Sequence, residues 1–189
     1  LLLGQDIHGA TLGIIGLGKI GTAVAKRARG FDMQLLYYSR THKADLEEQL
    51  GMECVQNLED LLLRSDFITV HVPLTDETYH LIGSRELAIM KPTAILVNTS
   101  RGAVVDGKAL YQALKSRQIL AAALDVTEVE PISMNDPLFA IDNLIVTPHI
   151  GSATAATRTK MARMAAQNLL AGLQGQVLQH CVNPQVTEG

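Results

Sequence analysis

Three closely spaced glycines constrain the fold of this 189-residue chain more than any other feature of its sequence. Gly16, Gly18 and Gly21 follow the apolar run Leu12–Ile15 and open a segment with helical periodicity. In a strand–loop–helix unit, the first glycine permits a tight turn, the second allows a ligand close to the backbone, and the third lets the helix pack on the strand. The helix N-terminus adds free N–H groups and a partial positive charge. The spacing therefore predicts a cradle for a pyrophosphate.

A plain tight turn is the alternative interpretation, because the chain contains 15 glycines and the spacing alone is a weak signal. The context favours the cradle, since apolar runs and amphipathic segments alternate along the chain. The predicted strands are Thr11–Ile15, Gln34–Tyr38, Phe67–Val72, Ala94–Asn98, Leu120–Asp125 and Leu144–Thr147. The predicted helices are Lys19–Gly30, Ala44–Leu50, Leu58–Arg64, Ser84–Met90, Asp106–Ser116 and Ser152–Leu173. Continuous apolar strands separated by helices indicate an α/β fold with a doubly wound parallel sheet, the Rossmann fold.

Composition excludes several classes of protein. Acidic and basic residues are scattered and the net charge is -3, so no surface for nucleic acid is expected. Cys54 and Cys181 lie far apart without CxxC spacing, which argues against a disulfide framework or a metal site and favours a reducing cytoplasm. The run Leu1–Leu3 is too short for a signal peptide or a membrane span, so no membrane partner is expected.

One domain accounts for most of the chain, since 189 residues suffice for one α/β domain and its core. We assign residues 1–173 to a dinucleotide-binding domain and residues 174–189 to a C-terminal tail. The tail lacks periodicity, so it is either a frayed terminus or a strap that docks on a part absent from this chain. The sequence does not begin with methionine, and we expect it to be an excised fragment.

The end of the second predicted strand indicates which dinucleotide is preferred. NAD sites usually carry an acidic residue there, which bonds the adenosine ribose 2′-hydroxyl. Ser39, Arg40 and Thr41 occupy this position instead, and the nearest acid is Asp45. An Arg–phosphate bond contributes roughly 1.5–3 kcal/mol, or about 10- to 100-fold in affinity. We therefore predict that NADP(H) is preferred without excluding NAD(H); an arginine on a solvated loop is the alternative.

Three side chains of catalytic types follow predicted strands and should meet at one edge of the sheet. Arg101, Glu130 and His149 lie beyond three successive strands, and ligands of open α/β sheets bind at the carboxyl ends of strands. Reduction of a 2-keto acid requires a proton donor, which histidine can be, and a cation for the substrate carboxylate. We assign His149 as the acid–base group, Glu130 as the carboxylate that keeps it protonated, and Arg101 as the clamp that also polarises the carbonyl.

Each of these residues, taken singly, also has a purely structural explanation, because ion pairs on surface loops are common. Their convergence at three strand ends favours the catalytic interpretation. The other histidines lack such settings, and His71 is interpreted as lining of the cofactor cleft.

Several ordered motifs extend this pattern from about Gly9 to Gly172. They are Gly9–Gly21, Met90-Lys91-Pro92, Val97–Gly102, Leu124-Asp125-Val126, Glu130-Pro131 and Pro148–Ala153. Together they resemble the cofactor domain of the D-isomer-specific 2-hydroxyacid dehydrogenases. The resemblance implies interconversion of a small 2-keto acid and a D-2-hydroxy acid, with Arg101, Glu130 and His149 as catalytic residues. It also implies a homodimer and a separate substrate domain, most of which this chain lacks. The segment 39–41 resembles that of glyoxylate and hydroxypyruvate reductases that use NADPH.

The resemblance implies further cofactor contacts. Val72 and Pro73 would lie near the adenine, Thr78 and Thr99 near the nicotinamide, and Asp125 at its carboxamide. The full set of predicted cofactor residues is Gly16, Gly18, Lys19, Ile20, Gly21, Ser39, Arg40, Thr41, Val72, Pro73, Thr78, Thr99, Ser100, Arg101, Asp125, His149 and Gly151. No metal is expected.

Three other functions fit parts of the pattern. A formate or phosphite dehydrogenase has the same fold, although the resembling formate enzymes pair the histidine with glutamine rather than with a residue like Glu130. A nucleotide sensor similar to the transcriptional corepressors of this fold would keep the catalytic residues, but NADH sensing favours an acid where Ser39 and Arg40 lie. A structural domain with a vestigial glycine loop is the third.

Overall fold

The computed structural model describes residues 4–187, and the chain divides into two compact units, Leu1–His149 and Ile150–Gly189. The run Leu1–Leu3, which we interpret as too short for a signal peptide or a membrane span, lies outside the described residues. The last two residues of the predicted tail lie outside them as well. Between residues 4 and 187, no helix is both long enough and apolar enough to cross a membrane.

Seven strands make up the sheet of the first unit: β1 Thr11–Ile15, β2 Gln34–Tyr38, β3 Met52–Cys54, β4 Phe67–Val70, β5 Ile95–Asn98, β6 Ala121–Leu124 and β7 Leu144–Val146. All neighbours pair in parallel, in the order β3-β2-β1-β4-β5-β6-β7. The order moves outward from β1 in both directions, so the sheet is doubly wound and the predicted fold class is confirmed.

The α-helices are α1 Lys19–Ala28, α2 Ala44–Leu50, α3 Leu58–Arg64, α4 Ser84–Ile89 and α5 Gly107–Lys115 in the first unit, and α6 Ala155–Leu173 in the second. Short 3-10 helices lie at Arg29–Phe31, Gly102–Val104, Pro137–Ala140 and Pro184–Thr187.

Strand register places one row of residues side by side at the carboxyl edge of the sheet. The row runs through Tyr38, Ile15, Val70, Asn98, Leu124 and Val146. The segments that follow these strands therefore start from one common edge. They include the glycine turn and the segments with Arg40, Arg101, Glu130 and His149.

Apolar packing on both faces of the sheet stabilises the first unit. Ile14 and Ile15 are adjacent in β1, and each is fully buried in a different apolar cluster. Ile15 shares its cluster with Leu96 and Leu110, whereas Ile14 shares its cluster with Tyr37. Successive side chains of a strand point to opposite faces, so the division shows that both faces are covered. Full burial of one such isoleucine contributes about 1.5–3 kcal/mol.

Several element boundaries differ from the prediction. β3 is absent from the prediction because a three-residue edge strand carries too little alternation to be recognised. β4 ends at Val70, where its pairing with both neighbours stops. α6 begins at Ala155 rather than Ser152, because the Thr154 hydroxyl accepts a hydrogen bond from the Thr157 N–H at 3.1 Å and caps the helix.

The described part of the second unit consists mainly of α6, in which no residue is buried. Beyond Leu173, the described residues of the predicted tail contain one 3-10 helix, Pro184–Thr187. The docking of the tail on a substrate domain stays a prediction.

Candidate cofactor and active site

The glycine turn between β1 and α1 leaves room for a ligand at the helix N-terminus. Gly16 has φ +93°, and a Cβ there would lie 2.8 Å from Val72 Cγ1 and 2.9 Å from the His71 carbonyl carbon. A Cβ on Gly21 would overlap the carbonyl oxygen of Gly16, so the helix packs directly on the turn. A Cβ on Gly18 would meet nothing within 4 Å, and no side chain caps α1. The first N–H groups of α1 therefore face an open, positively polarised space that suits a pyrophosphate.

A cavity of about 360 Å³ opens beside this turn at the carboxyl edge of the sheet. Eight of the predicted cofactor residues line it: Gly16, Gly18, Ser39, Arg40, Thr41, Val72, Pro73 and Thr78. The other lining residues are Ile15, Leu17, Tyr38, Lys43, His71, Thr75, Glu77 and Leu81. The sequence interpretation identified His71 as lining but missed the rest, since most of them belong to no motif.

Lys19, Ile20 and Gly21 belong to the first turn of α1 and lie outside the lining of the cavity. Thr99, Ser100, Arg101, Asp125 and His149 also lie outside it, beyond the strands β5, β6 and β7. Gly151 belongs to the second unit. Cofactor contacts for these residues stay predictions.

The loop that carries Ser39, Arg40 and Thr41 is attached at both ends. At its start, the Gly16 N–H donates to the carbonyl oxygen of Tyr38 at 2.9 Å. At its end, the Lys43 N–H donates to the buried Tyr37 hydroxyl at 2.9 Å, and that hydroxyl donates to Glu47 at 2.7 Å. Burial, followed by the hydrogen bond to Glu47, raises the pKa of the Tyr37 phenol, so the hydroxyl stays protonated.

The opposite wall of the cavity is formed by the segment after β4. The Thr78 hydroxyl donates to the Pro73 carbonyl oxygen at 2.6 Å and accepts from the Thr75 N–H at 2.8 Å, which closes this segment into a compact loop. His71 Nε2 lies 2.9 Å from the Thr69 hydroxyl, and burial lowers the pKa of the His71 imidazole. The ring therefore adds a neutral polar surface to the cavity at neutral pH.

Glu77 places a carboxylate on the same wall of the cavity. The Thr75 hydroxyl donates to it at 2.6 Å, and this hydrogen bond contributes most to lowering the pKa of Glu77, with a smaller contribution from Arg40. The Arg40 guanidinium is thus within electrostatic reach of one acid across the cavity.

Glu130 and His149 form a hydrogen-bonded pair at the carboxyl edge. Glu130 Oε2 lies 2.8 Å from His149 Nδ1. This hydrogen bond is the largest cause of the lowered pKa of Glu130; the Thr127 N–H, at 3.2 Å, and the Arg101 charge add to it. An ionised carboxylate can only accept, so Nδ1 carries the proton of this hydrogen bond. The backbone N–H of His149, at φ +53°, donates to the Asp125 carbonyl oxygen at 2.9 Å.

Arg101 lies in a turn that Asn98 organises. The fully buried Asn98 amide donates to the Arg101 carbonyl oxygen at 3.0 Å and accepts from the Ser100 N–H at 3.0 Å and hydroxyl at 2.9 Å. The Arg101 guanidinium is exposed, and Thr99 beside it is exposed as well. The sequence interpretation missed Asn98, although a polar residue that ends an apolar strand is a recognisable signal.

Asp125 is buried at the end of β6, where its carboxylate accepts from the Thr147 hydroxyl at 2.6 Å. Its backbone N–H donates to the Asn98 carbonyl oxygen at 2.9 Å. Asp125 thereby ties together the segments that carry Arg101 and His149. The edge thus combines an anion cradle, a cavity, an exposed arginine and a carboxylate-oriented imidazole, which suits proton transfer beside a nucleotide.

Comparison with known proteins agrees with this geometry. Residues 1–151 match the model of the D-isomer specific 2-hydroxyacid dehydrogenase family, NAD binding domain. The chain belongs to this family. It is 53% identical over 188 residues to a glyoxylate reductase of Korarchaeum cryptofilum, covering all of this chain and 56% of that protein. The chain therefore spans about half the length of the curated relatives it matches.

Solved structures of the family share the fold. The TT0316 protein from Thermus thermophilus matches with a TM-score of 0.90 and 47% identity, over 96% of this chain and 56% of that one. The holo form of Rhodotorula graminis D-mandelate dehydrogenase matches with a TM-score of 0.86 and 39% identity, over 93% of this chain and 51% of that one. The two activities named among these relatives concern different acids, glyoxylate in one and D-mandelate in the other.

Proposed function

We propose that this chain is the cofactor-binding and catalytic domain of an NADPH-preferring reductase of small 2-keto acids, with glyoxylate and hydroxypyruvate as the leading substrates. The observation that carries the proposal is the 2.8 Å contact between Glu130 and His149 at the same sheet edge as the open glycine turn. The name of the Korarchaeum cryptofilum relative supports glyoxylate.

His149 would donate the proton that the carbonyl oxygen requires. A reduced nicotinamide nucleotide, held with its pyrophosphate at the turn of Gly16 and Gly18, would supply hydride chemistry at the carbonyl carbon. Nδ1 of His149 is occupied by Glu130, so Nε2 is the nitrogen that would meet the substrate oxygen. The Glu130 carboxylate accepts the hydrogen bond from Nδ1 and so fixes the orientation of the ring. The product is a 2-hydroxy acid, and His149 regains its proton from solvent.

Arg101 would hold the substrate carboxylate. Its exposed guanidinium offers several N–H donors in one plane, which match a carboxylate well. The turn that carries it is held by the buried Asn98, so the backbone of Arg101 is fixed before substrate binds. A fixed clamp lowers the entropy lost when the carbonyl is aligned.

The preference for NADPH rests on Arg40 and on the hydroxyls of Ser39 and Thr41, all of which line the cavity. No acidic residue follows β2 until Asp45 in the sequence. Glu77 is the one carboxylate among the lining residues, and its hydrogen bond to Thr75 holds it on the opposite wall. A 2′-phosphate beside Arg40 would gain a charge-assisted bond that a ribose hydroxyl lacks.

The remaining proposals concern the whole protein. We propose that residues 1–173 form the dinucleotide-binding domain and that the tail returns to a substrate domain supplied by further chain. We also propose a homodimer, which sedimentation at equilibrium would test. The proposed compartment is the reducing cytoplasm, supported by the two free cysteines, Cys54 and Cys181.

The proposed function is tested by turnover. Full-length protein and the 189-residue chain would be assayed with NADPH and a panel of glyoxylate, hydroxypyruvate, pyruvate and phenylglyoxylate. We expect turnover by the full-length protein, fastest with glyoxylate or hydroxypyruvate. We expect the isolated chain to bind cofactor but turn over poorly, because its cleft lacks the wall that excludes water. Equal turnover by both proteins would contradict the domain proposal, and no turnover of any 2-keto acid would contradict the function.

A further inference from the structure

His80 lies in an unusual backbone conformation between two parts of the candidate site. Its φ is +50°, in the left-handed region that non-glycine residues seldom occupy. The surrounding backbone holds it there: the His80 N–H donates to the Ala103 carbonyl oxygen at 2.8 Å, and Ile82 forms a parallel bridge with Val105. A conformation of this kind persists only where the neighbouring structure imposes it, and such residues concentrate at functional sites.

The imidazole of His80 stands between two carboxylates. Nδ1 lies 3.7 Å from Asp106 Oδ2, and Nε2 lies 3.4 Å from Glu128 Oε1. The Nε2 atom of His80 is shielded from solvent and has no hydrogen bond of good geometry. The nearby Glu128 carboxylate is therefore the group that offsets the cost of burying this polar atom. The two nitrogens face different acids. The ring therefore spans the gap between the Asp106 and Glu128 carboxylates, with one nitrogen toward each.

Both carboxylates already hold the start of α5. Asp106 Oδ1 accepts from the N–H groups of Lys108 at 2.9 Å and Ala109 at 3.0 Å, and so caps the helix. Glu128 Oε1 accepts from the Gly107 N–H at 2.7 Å. A Cβ on Gly107 would lie 3.2 Å from that same oxygen, so glycine permits the close approach. The Glu128 side chain is therefore anchored from two directions, by His80 and by the N-terminus of α5.

Glu128 lies two residues before Glu130 in the loop that follows β6. Within this loop, the Thr127 N–H donates to Glu130 at 3.2 Å, and the Thr127 hydroxyl donates to the Val129 carbonyl oxygen at 2.9 Å. The loop also packs directly on Gly102, where a Cβ would overlap the backbone of Thr127. Anchoring Glu128 thus restricts the short segment that presents Glu130 to His149.

The other side of His80 leads to the cofactor cavity. Thr78, two residues earlier, lines the cavity and closes its loop through Pro73. The Tyr79 ring stacks on the His80 ring with a centroid distance of 4.0 Å, which keeps the imidazole in place. His80 therefore joins the wall of the cavity to the loop of the acid–base pair.

We propose that His80 is a positioning residue that acts through Glu128 to hold the Glu130 carboxylate against His149. This inference rests on the proposed function only in giving the Glu130–His149 pair its acid–base role. His80 touches neither member of the pair, and its effect passes through the segment 127–130. Asp106 holds the opposite nitrogen of the ring and keeps it directed at Glu128.

The test compares H80N, E128Q and the double variant H80N/E128Q with wild type. Asparagine tolerates the left-handed backbone but cannot bridge the two acids. Glutamine at position 128 still accepts from the Gly107 N–H but lacks the charge. E48Q, which removes an exposed acid of α2, is the matched control. Amide spectra would confirm that each variant is folded, and carbon NMR of the side-chain carboxyls would follow the titration of Glu130.

We expect the pKa of Glu130 to rise toward the ordinary glutamate value of about 4.3 in H80N and to stay lowered in E48Q. In E128Q the rise should be smaller than in H80N, because removal of the neighbouring Glu128 charge by itself lowers the pKa of Glu130. The double variant should shift Glu130 no further than the larger single variant, because both residues act along one path. Unchanged titration in H80N and E128Q, or additive shifts in the double variant, would overturn the proposal.

NADPH titration of the same samples separates this proposal from the proposed function. Wild type that binds no NADPH would contradict the function, while the Glu130 titration would still decide the role of His80. With binding intact, kcat of the full-length H80N protein for keto-acid reduction should fall by about tenfold with little change in KM, because only the acid–base step loses its alignment.

Discussion

The cofactor cavity and the Glu130–His149 pair share one edge of the sheet but are built in opposite ways. The turn of the cavity comes from one continuous stretch, in which Gly16 and Gly18 shape the backbone. The pair joins side chains 19 residues apart, and the loop of Glu130 packs on Gly102 and is anchored through Glu128. The first region depends on backbone conformation and the second on side-chain chemistry. Damage to the first should therefore weaken binding, and damage to the second should slow the reaction.

The largest effect is expected from H149N. Asparagine fills part of the same space but cannot deliver the proton, so kcat for keto-acid reduction should fall by about 10²- to 10⁴-fold. NADPH affinity should fall by far less than kcat, because His149 lies outside the lining of the cavity and its predicted cofactor contact is one of many. Stopped-flow loss of NADPH absorbance in the full-length protein would measure both quantities, with H8N as the control at an exposed histidine. A large loss of NADPH affinity with normal kcat would break the division between the two regions.

A smaller effect is expected from G16A, and it should fall on stability and NADPH affinity rather than on kcat. A Cβ at φ +93° is strained and would meet Val72 and the His71 backbone, so unfolding free energy should fall by about 1–3 kcal/mol. NADPH affinity should fall by about tenfold or more, because the turn must shift away from the ligand.

G30A is the matched control for this substitution, since a Cβ on Gly30 meets nothing within 4 Å. Denaturant unfolding and fluorescence titration would report the two quantities. Equal behaviour of G16A and G30A would show that the turn does not shape the cavity.

The smallest expected effect is the change that E130Q makes in the free energy of unfolding. The lowered pKa of Glu130 means that its ionised form stabilises the fold. This contribution is present above the unfolded value of about 4.3 and is lost as pH falls through the folded pKa. The pair is solvent-exposed, so the difference between wild type and E130Q should be about 0.2–1 kcal/mol at neutral pH and vanish in acid. Urea unfolding at several pH values would measure it, and a difference that grows in acid would contradict the ionised pair.

The contrast between the regions also explains what the sequence could predict. The parallel sheet follows from continuous apolar strands such as Phe67–Val70, whose burial needs helices on both faces. The glycine turn follows from spacing, because its conformation is local. Arg101, Glu130 and His149 could be placed at one edge because parallel strands end together.

Other features could not be predicted, because they depend on contacts between segments far apart in the sequence and no local pattern indicates such contacts. The link from His80 to Asp106 and Glu128 depends on three segments far apart in the sequence. Glu77 and Lys43 line the cavity only because loops after β4 and β2 face each other. The left-handed backbone of His80 and His149 is only weakly indicated by residue type, since histidine is enriched at positive φ but the conformation is uncommon even for histidine.

The most direct test of the central claim is titration of the chain with NADPH and NADH, followed by nicotinamide fluorescence, in wild type, R40A and R85A. R85A removes an exposed arginine that pairs with Glu59 and serves as the charge control. We predict that NADPH binds wild type at least about tenfold more tightly than NADH, and that only R40A loses this margin. Equal or tighter binding of NADH would contradict the assignment of Ser39, Arg40 and Thr41 and favour an NADH-linked dehydrogenase or sensor. Binding of neither nucleotide would contradict the cofactor site itself.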